Sequence, residues 1–210
     1  MTTAFAVALI AGLVLKFWLA SRQMRHVANC RNSVPGGYAQ SVSLAAHQKA
    51  ADYTITKTRF GLLELAVGTA ILLGWTLLGG LDLLNQTLME WIAPGMLQQV
   101  ALLSAFALIG GVIELPLAWY TTFVIEERFG FNKTTLRLWV ADLFKSAVLG
   151  AVIGIPLASL ILWLMGAAGP QWWLWAWATW MGFNLSFLMI YPSFIAPLFN
   201  RFKPLEDEDL

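Results

Sequence analysis

Five uninterrupted apolar runs constrain this chain more than anything else in its sequence: about residues 3–20, 61–81, 97–121, 143–166 and 172–196. Each falls within the ~17 to 25 residues that an α-helix needs to cross a hydrocarbon core. The runs are continuous, whereas the strands of a membrane barrel would alternate with period two. Composition agrees, with 59% hydrophobic residues, 12% charged residues and a mean hydropathy of +0.68, far from a soluble domain. The expected fold is all-α, a polytopic integral membrane helical bundle of five transmembrane helices. A net charge of +1, with no basic patch on a soluble domain, gives no footprint for nucleic acid.

Charge placement sets the expected orientation. No basic residue precedes "TAFAVALIAGLVL" and no small-residue cleavage site follows it, so the first run reads as a retained span and not a signal peptide. With the N-terminus outside, the cytoplasmic parts are residues 21–60, 122–142 and the tail after about 196. All 13 Lys and Arg then lie at or beyond the cytoplasmic ends of spans. They are Lys16, six in the first loop, four around the second (Arg128, Lys133, Arg137, Lys145), and Arg201 with Lys203. The outer loops, 82–96 and 167–171, carry Asp82 and Glu90 but no basic residue. This asymmetry places the C-terminus in the cytoplasm as well.

The first cytoplasmic loop is longer than a connector needs. After the "VPGG" turn, Tyr38, Val42, Ala45, Ala46, Ala50 and Tyr53 recur at helical spacing, with Gln40, Gln48, Lys49 and Asp52 on the other face. An amphipathic helix is expected there, as a docking element, an interfacial helix or a plain linker. In the second loop Gly130 permits a tight turn, and Asn132 is the expected cap of a helix leading into the fourth span. Phe129 and Phe131 flank that turn, either anchored on apolar protein surface or placed at the lipid interface.

Ionisable groups inside spans are costly, which makes them informative. Glu64 lies less than a turn into the second span and reads as reaching back to the interface. Glu114 lies deep in the third, between Gly110, Gly111 and Pro116, and is expected to face a polar cavity or a partner. Asn184 adds a polar group to the fifth span, while Pro116 and Pro156 loosen the third and fourth. Six of the eleven tryptophans (Trp163, Trp172, Trp173, Trp175, Trp177 and Trp180) surround the outer loop at Gly169 and Pro170, as an anchoring belt. His26 and His47 lack Cys, Asp or Glu at ligand spacing and read as loop histidines; no metal site is expected in this chain.

"EERFGFNKTTLRLW", "DLFKS", the fourth-span "IPL" and "IYPSFIAPLFNRFKPL", with "AAHQKAADYTITKTRFGL" ahead of the second span, together resemble the N-terminal membrane region of the Ste24-type CaaX prenyl proteases, zinc metallopeptidases of the M48 family. The resemblance covers roughly residues 47–205. It implies the N-terminal part of a seven-helix barrel around an intramembrane chamber, in a bacterial inner membrane or the endoplasmic reticulum membrane. In the full-length protein it implies a zinc ion held by a His-Glu-x-x-His helix and a downstream glutamate. Here the histidine contexts are "HVAN" and "HQKA". The chain is therefore expected to hold no catalytic residue and no metal, and to be inactive alone. Its expected organisation is a membrane domain over residues 1–205, with 206–210 opening a catalytic region. Its expected partners are the lipid bilayer, that missing C-terminal catalytic region, and a protein or peptide substrate. Glu114 and Asn184 are the candidates for facing the chamber; Asn132, Asn200 and Arg201 are the candidates for docking the catalytic region. A transporter or channel half, or a non-enzymatic membrane scaffold, competes with this reading, since kinked spans and Glu114 also suit a polar path.

The sole cysteine, Cys30, lies in the first loop and reports orientation directly. In intact cells a membrane-impermeant maleimide should leave Cys30 unlabelled until the membrane is permeabilised; labelling from outside would reverse the assignment.

Overall fold

The structure is a computed structural model that describes residues 2–38 and 40–199, and no strand occurs among them. Seven α-helices follow in order: α1 (Thr2–Cys30), α2 (Leu44–Thr76), α3 (Gly80–Met89), α4 (Met96–Tyr120), α5 (Leu136–Ala167), α6 (Trp172–Ile190) and α7 (Ala196–Phe199). A π-helical segment, Thr121–Glu126, continues α4, and another, Tyr191–Ile195, joins α6 to α7. By length and hydropathy α1, α2, α4 with its extension, and α5 are each able to cross a membrane. The shorter α6 covers the fifth apolar run, and five of its 19 residues are tryptophans.

Two expected boundaries are corrected. The amphipathic helix of the first loop and the second span are one 33-residue helix, α2. It begins at Leu44 because the Ser43 hydroxyl caps it, accepting from the Ala46 N–H at 3.2 Å. Tyr38 lies in a separate 3-10 turn and Val42 precedes the cap, so neither joins the helical face expected of them. At its other end α2 stops at Thr76, short of the expected residue 81. Gly79 adopts φ +79°, which reverses the chain into α3. The region expected to be an outer loop is thus mostly helix, with Leu81, Leu84 and Leu88 at helical spacing over too short a length to stand out in the sequence.

Contacts divide the chain into two units. One comprises residues up to Trp91 together with Ala105–Thr134, the other Ile92–Ser104 together with the chain from Thr135. In the first unit α1 packs on α2. Their basic ends are joined by a two-pronged ion pair, Arg31 Nε to Asp52 Oδ1 and Arg31 Nη2 to Asp52 Oδ2, both 2.8 Å. These bonds hold the Asp52 carboxyl below its ordinary range; both side chains are over a third exposed, so solvent screens the pair. Aromatic contacts run along α2 and α4, Trp75 edge-on to Phe106 at 5.1 Å and Phe60 stacked on Tyr120 at 4.9 Å. Each step up α2 matches a step back along α4, so the two helices are antiparallel.

In the second unit Thr135 caps α5, its hydroxyl accepting from the Leu138 N–H at 3.3 Å. A short turn at Gly169, φ +59°, brings α6 back against α5. Trp180, Phe183, Phe187 and Tyr191 form a ladder along α6 with ring centroids 5.5 to 6.1 Å apart. Pro192 then sits where regular α-helical bonding widens into the π segment. Helix persists beyond it to Phe199, so this proline loosens the helix without ending it.

Burial shows what solvates the molecule. Among the described residues the buried apolar side chains are Ala51, Ile125, Phe129 and Ile195. Long stretches of leucine, valine and tryptophan face outward, as expected of helices bathed in acyl chains.

The reversal between α2 and α3 depends on a missing side chain. A Cβ on Gly80 would stand 2.8 Å from the Gly74 carbonyl oxygen and 3.1 Å from Trp75 Cα, both backbone atoms. Gly80→Ala should cost on the order of 1–3 kcal/mol, read as a lower Tm in detergent. Gly61→Ala, whose Cβ meets nothing within 4 Å, should not lower the Tm.

Candidate functional site

The antiparallel register of α2 and α4 brings together polar side chains from inside two apolar runs. Glu64, Val67, Gly68 and Ile71 lie at i, i+3, i+4 and i+7 on α2, and Glu114, Leu117 and Ala118 share a face of α4. These seven residues line a cavity of about 290 Å³. The aromatic pairs place Glu114 roughly level with Gly68, one turn from Glu64. Thr121, seven residues beyond Glu114, donates its hydroxyl to Glu64 Oε1 at 3.3 Å. Gly68 and Ala118 contribute little bulk, and a Cβ on Gly68 would enter open space.

Glu114 therefore lines a cavity, and Glu64 shares it. Glu64, expected to reach back to the interface from near the end of an apolar run, is exposed and lines this cavity as well. The signal for that is the shared face of Glu64, Val67, Gly68 and Ile71, which meets a cavity only once a partner helix is known.

A second cluster holds the basic ends of these helices together. The Tyr53 hydroxyl donates to Glu126 Oε1 at 2.8 Å. Lys57 Nζ donates to both, at 2.7 Å to Tyr53 and 3.0 Å to Glu126. Tyr53 and then Lys57 hold the Glu126 carboxyl below its ordinary range, while Tyr53 and Glu126 raise the Lys57 ammonium. The Tyr53 ring also meets the edges of Phe129 (5.3 Å) and Phe131 (4.8 Å). Phe129 is buried and Phe131 half exposed, so both are anchored on protein. Lys49 lies over the outer ring, 5.7 Å from the Phe131 centroid. Gly130 makes the turn possible with φ +74°, which lets its N–H and that of Phe131 reach the Glu127 and Glu126 carbonyls, both at 2.9 Å.

Asn132 belongs to this loop and is not the cap of α5. Its amide donates to Glu127 Oε2 at 2.9 Å, and its carbonyl oxygen accepts from the Thr134 N–H at 2.7 Å. That local turn uses up the side chain, and Thr135, adjacent to the first helical residue, caps instead. Asn184 donates to the Trp180 carbonyl of its own helix at 2.7 Å. Asn200 and Arg201 lie outside the described residues.

The donors of a catalytic zinc centre do not converge among the described residues, where no three His, Cys, Asp or Glu side chains could share a metal. Against the expectation that His26 has no ligand partner at helical spacing, Cys30 lies one turn on, its Sγ 3.9 Å from His26 Nε2, and His47 Nε2 lies 3.0 Å from the Cys30 carbonyl oxygen. No hydrolytic step is assigned to these residues.

Comparison with known proteins converges on one family. Residues 23–201 match a family model described as CAAX prenyl protease N-terminal, five membrane helices. A CAAX prenyl protease 1 homolog of Caenorhabditis elegans is 34% identical over 164 residues, covering 78% of this chain and 36% of the relative. One from Mus musculus is 29% identical over 220 residues, covering 98% of this chain and 45% of the relative. The crystal structure of S. mikatae Ste24p matches with a TM-score of 0.85 at 27% identity, over 95% of this chain and 47% of that one. The chain thus spans less than half the length of each of these relatives.

The tyrosine cluster yields a pH-dependent stability. Glu126 binds its proton less tightly when folded, so its contribution is present above the ordinary carboxylate range and is lost as pH falls through the depressed folded value. Tyr53→Phe keeps the ring contacts and removes both hydroxyl bonds, costing about 1 kcal/mol at neutral pH. Below about pH 4, where carboxylates protonate, melts of variant and parent should draw together; a constant gap down to about pH 2 would show that the hydroxyl acts elsewhere.

Proposed function

This chain belongs to the CAAX prenyl protease N-terminal family, and from that premise we propose that it is the membrane domain of a Ste24-like zinc metalloendopeptidase, forming part of the wall of an intramembrane chamber. Residues 1–205 make up the domain and 206–210 lead into the catalytic region. The substrates are CaaX-type or other membrane-associated proteins. The zinc of the full-length enzyme is held by residues outside these 210.

The observation that carries this reading is the cavity between α2 and α4, in which Glu64 and Glu114 stand within apolar runs. A carboxylate facing acyl chains is strongly disfavoured, so such groups turn towards water or a partner. Two of them on facing helices, with Thr121 bonded to one, keep a hydrated strip along the wall. A peptide chain carries its own backbone donors and acceptors and needs such a strip to leave bulk water. Gly68 and Ala118 leave room beside the carboxylates for an extended segment. The chain's own contribution is thus to admit and orient a substrate and to exclude lipid from it.

The Tyr53 cluster fixes the register that holds the two glutamates opposite each other, and the 126–134 loop faces the cytoplasm with the basic residues around it. There Asn132 shapes a docking surface for the catalytic region; Asn200 and Arg201, outside the described residues, are proposed for the same role from the sequence alone. Since both ends of the Asn132 amide are bonded within the loop, it presents the loop backbone more than its own side chain.

Thiol accessibility tests the hydrated wall. In a Cys30→Ser background in membranes, Glu114→Cys and Glu64→Cys should react readily with a charged methanethiosulfonate, while Val112→Cys, outward-facing and apolar, should stay unreactive. Equal protection of all three would remove the aqueous chamber from the reading.

A further inference from the structure

A second cleft, of about 370 Å³, opens between α1 and α2, and its lining differs in kind from the acidic cavity. Ser21, Met24, Arg25 and Ala28 line it from one face of α1, and Ile55 with Arg59 from one face of α2. Arg25 Nε donates to the Ser21 carbonyl at 3.3 Å, which holds its guanidinium one turn back towards the apolar part of α1. That bond uses one of five guanidinium N–H groups. Among the described residues neither Arg25 nor Arg59 forms an ion pair, while Asp52 is paired with Arg31 and Glu126 with Lys57.

Depth identifies the ligand. The first apolar run ends at about residue 20 and the second begins at about 61, so the cleft lies just past the hydrocarbon boundary, at the level of headgroups. On the bilayer side the same helix faces continue as Val14, Phe17 and Leu63, all exposed and apolar. We propose that this cleft is a binding site for an anionic phospholipid, with Arg25 and Arg59 gripping the phosphate and the acyl chains lying along that apolar track. A guanidinium pair suits phosphate oxygens through directed hydrogen bonds as well as charge, and basic pockets between membrane helices are where such headgroups settle. A soluble phosphate ester would satisfy the arginines but leave the apolar track without an occupant. The site is separate from the α2–α4 cavity, and its existence does not depend on the chamber.

The test is native mass spectrometry of the purified chain, equilibrated with equal amounts of palmitoyl-oleoyl phosphatidylglycerol and phosphatidylcholine. The parent should retain the anionic phosphatidylglycerol in about tenfold preference, and Arg25→Gln with Arg59→Gln should bring the ratio near parity. Ile55→Trp, which fills the cleft and keeps both charges, should also lose the preference, so the result does not hang on the stability of the double variant. Arg22→Gln, whose guanidinium lies over the Trp18 ring at 4.9 Å, should keep it. An unchanged ratio in the double variant or in Ile55→Trp, or an equal loss in Arg22→Gln, would overturn the site. Displacement of the lipid by glycerol phosphate would overturn its assignment to a lipid.

Discussion

Acyl chains solvate leucine as well as another helix does, so an apolar span has no intrinsic reason to prefer one neighbour over another. In this chain the choice between α2 and α4 is made where the apolar runs end. Tyr53 meets Glu126, Phe129 and Phe131 together, and Lys57 closes the polar side of the contact. Two of the buried apolar side chains of the first unit, Ile125 and Phe129, lie in or beside this cluster. Everything further into the spans inherits its register from that end. Phe60 and Tyr120 stack next, then Glu64 meets Thr121, and deeper still Trp75 meets Phe106.

The π-helical segment Thr121–Glu126 lets one helix serve both environments. A π turn holds one more residue than an α turn and so shifts the face that following side chains present. Thr121 at its start bonds to Glu64 beside the cavity, and Glu126 at its end bonds to Tyr53 and Lys57. Pro116, one turn earlier, withholds an N–H from the α-helical ladder. Two irregularities therefore sit side by side at the transition from the cavity to the clamp.

The spans were legible because crossing a bilayer imposes length and composition on each helix separately, and the basic residues mark which ends belong together. The FGFN turn was legible in part, because a glycine between aromatics has few uses besides a positive φ and an anchored hairpin-like loop. What escaped depends on partners or on competition between neighbours. Asn132 and Thr135 are both good caps, and only the loop's own bonding to Glu127 and Thr134 removes Asn132 from contention. The single long α2 was hidden because a change in composition near residue 60 looks like an element boundary when it marks only a change of solvent. The cavity that Glu64 lines escaped for a related reason, since it is a property of two helices and not of one.

Tyr53 and Glu126 are 73 residues apart in the chain, which gives the clamp a place in time as well as in space. At ~5–20 residues per second, a ribosome makes that interval in on the order of 4 to 15 s. For most of it α2, complete at Thr76, lacks the contact that sets its alignment with α4. Both glutamates of the cavity are present before the loop that aligns them. The alignment of Glu64 with Glu114 therefore waits on the residues made last, the loop that carries Glu126, Phe129 and Phe131 to Tyr53.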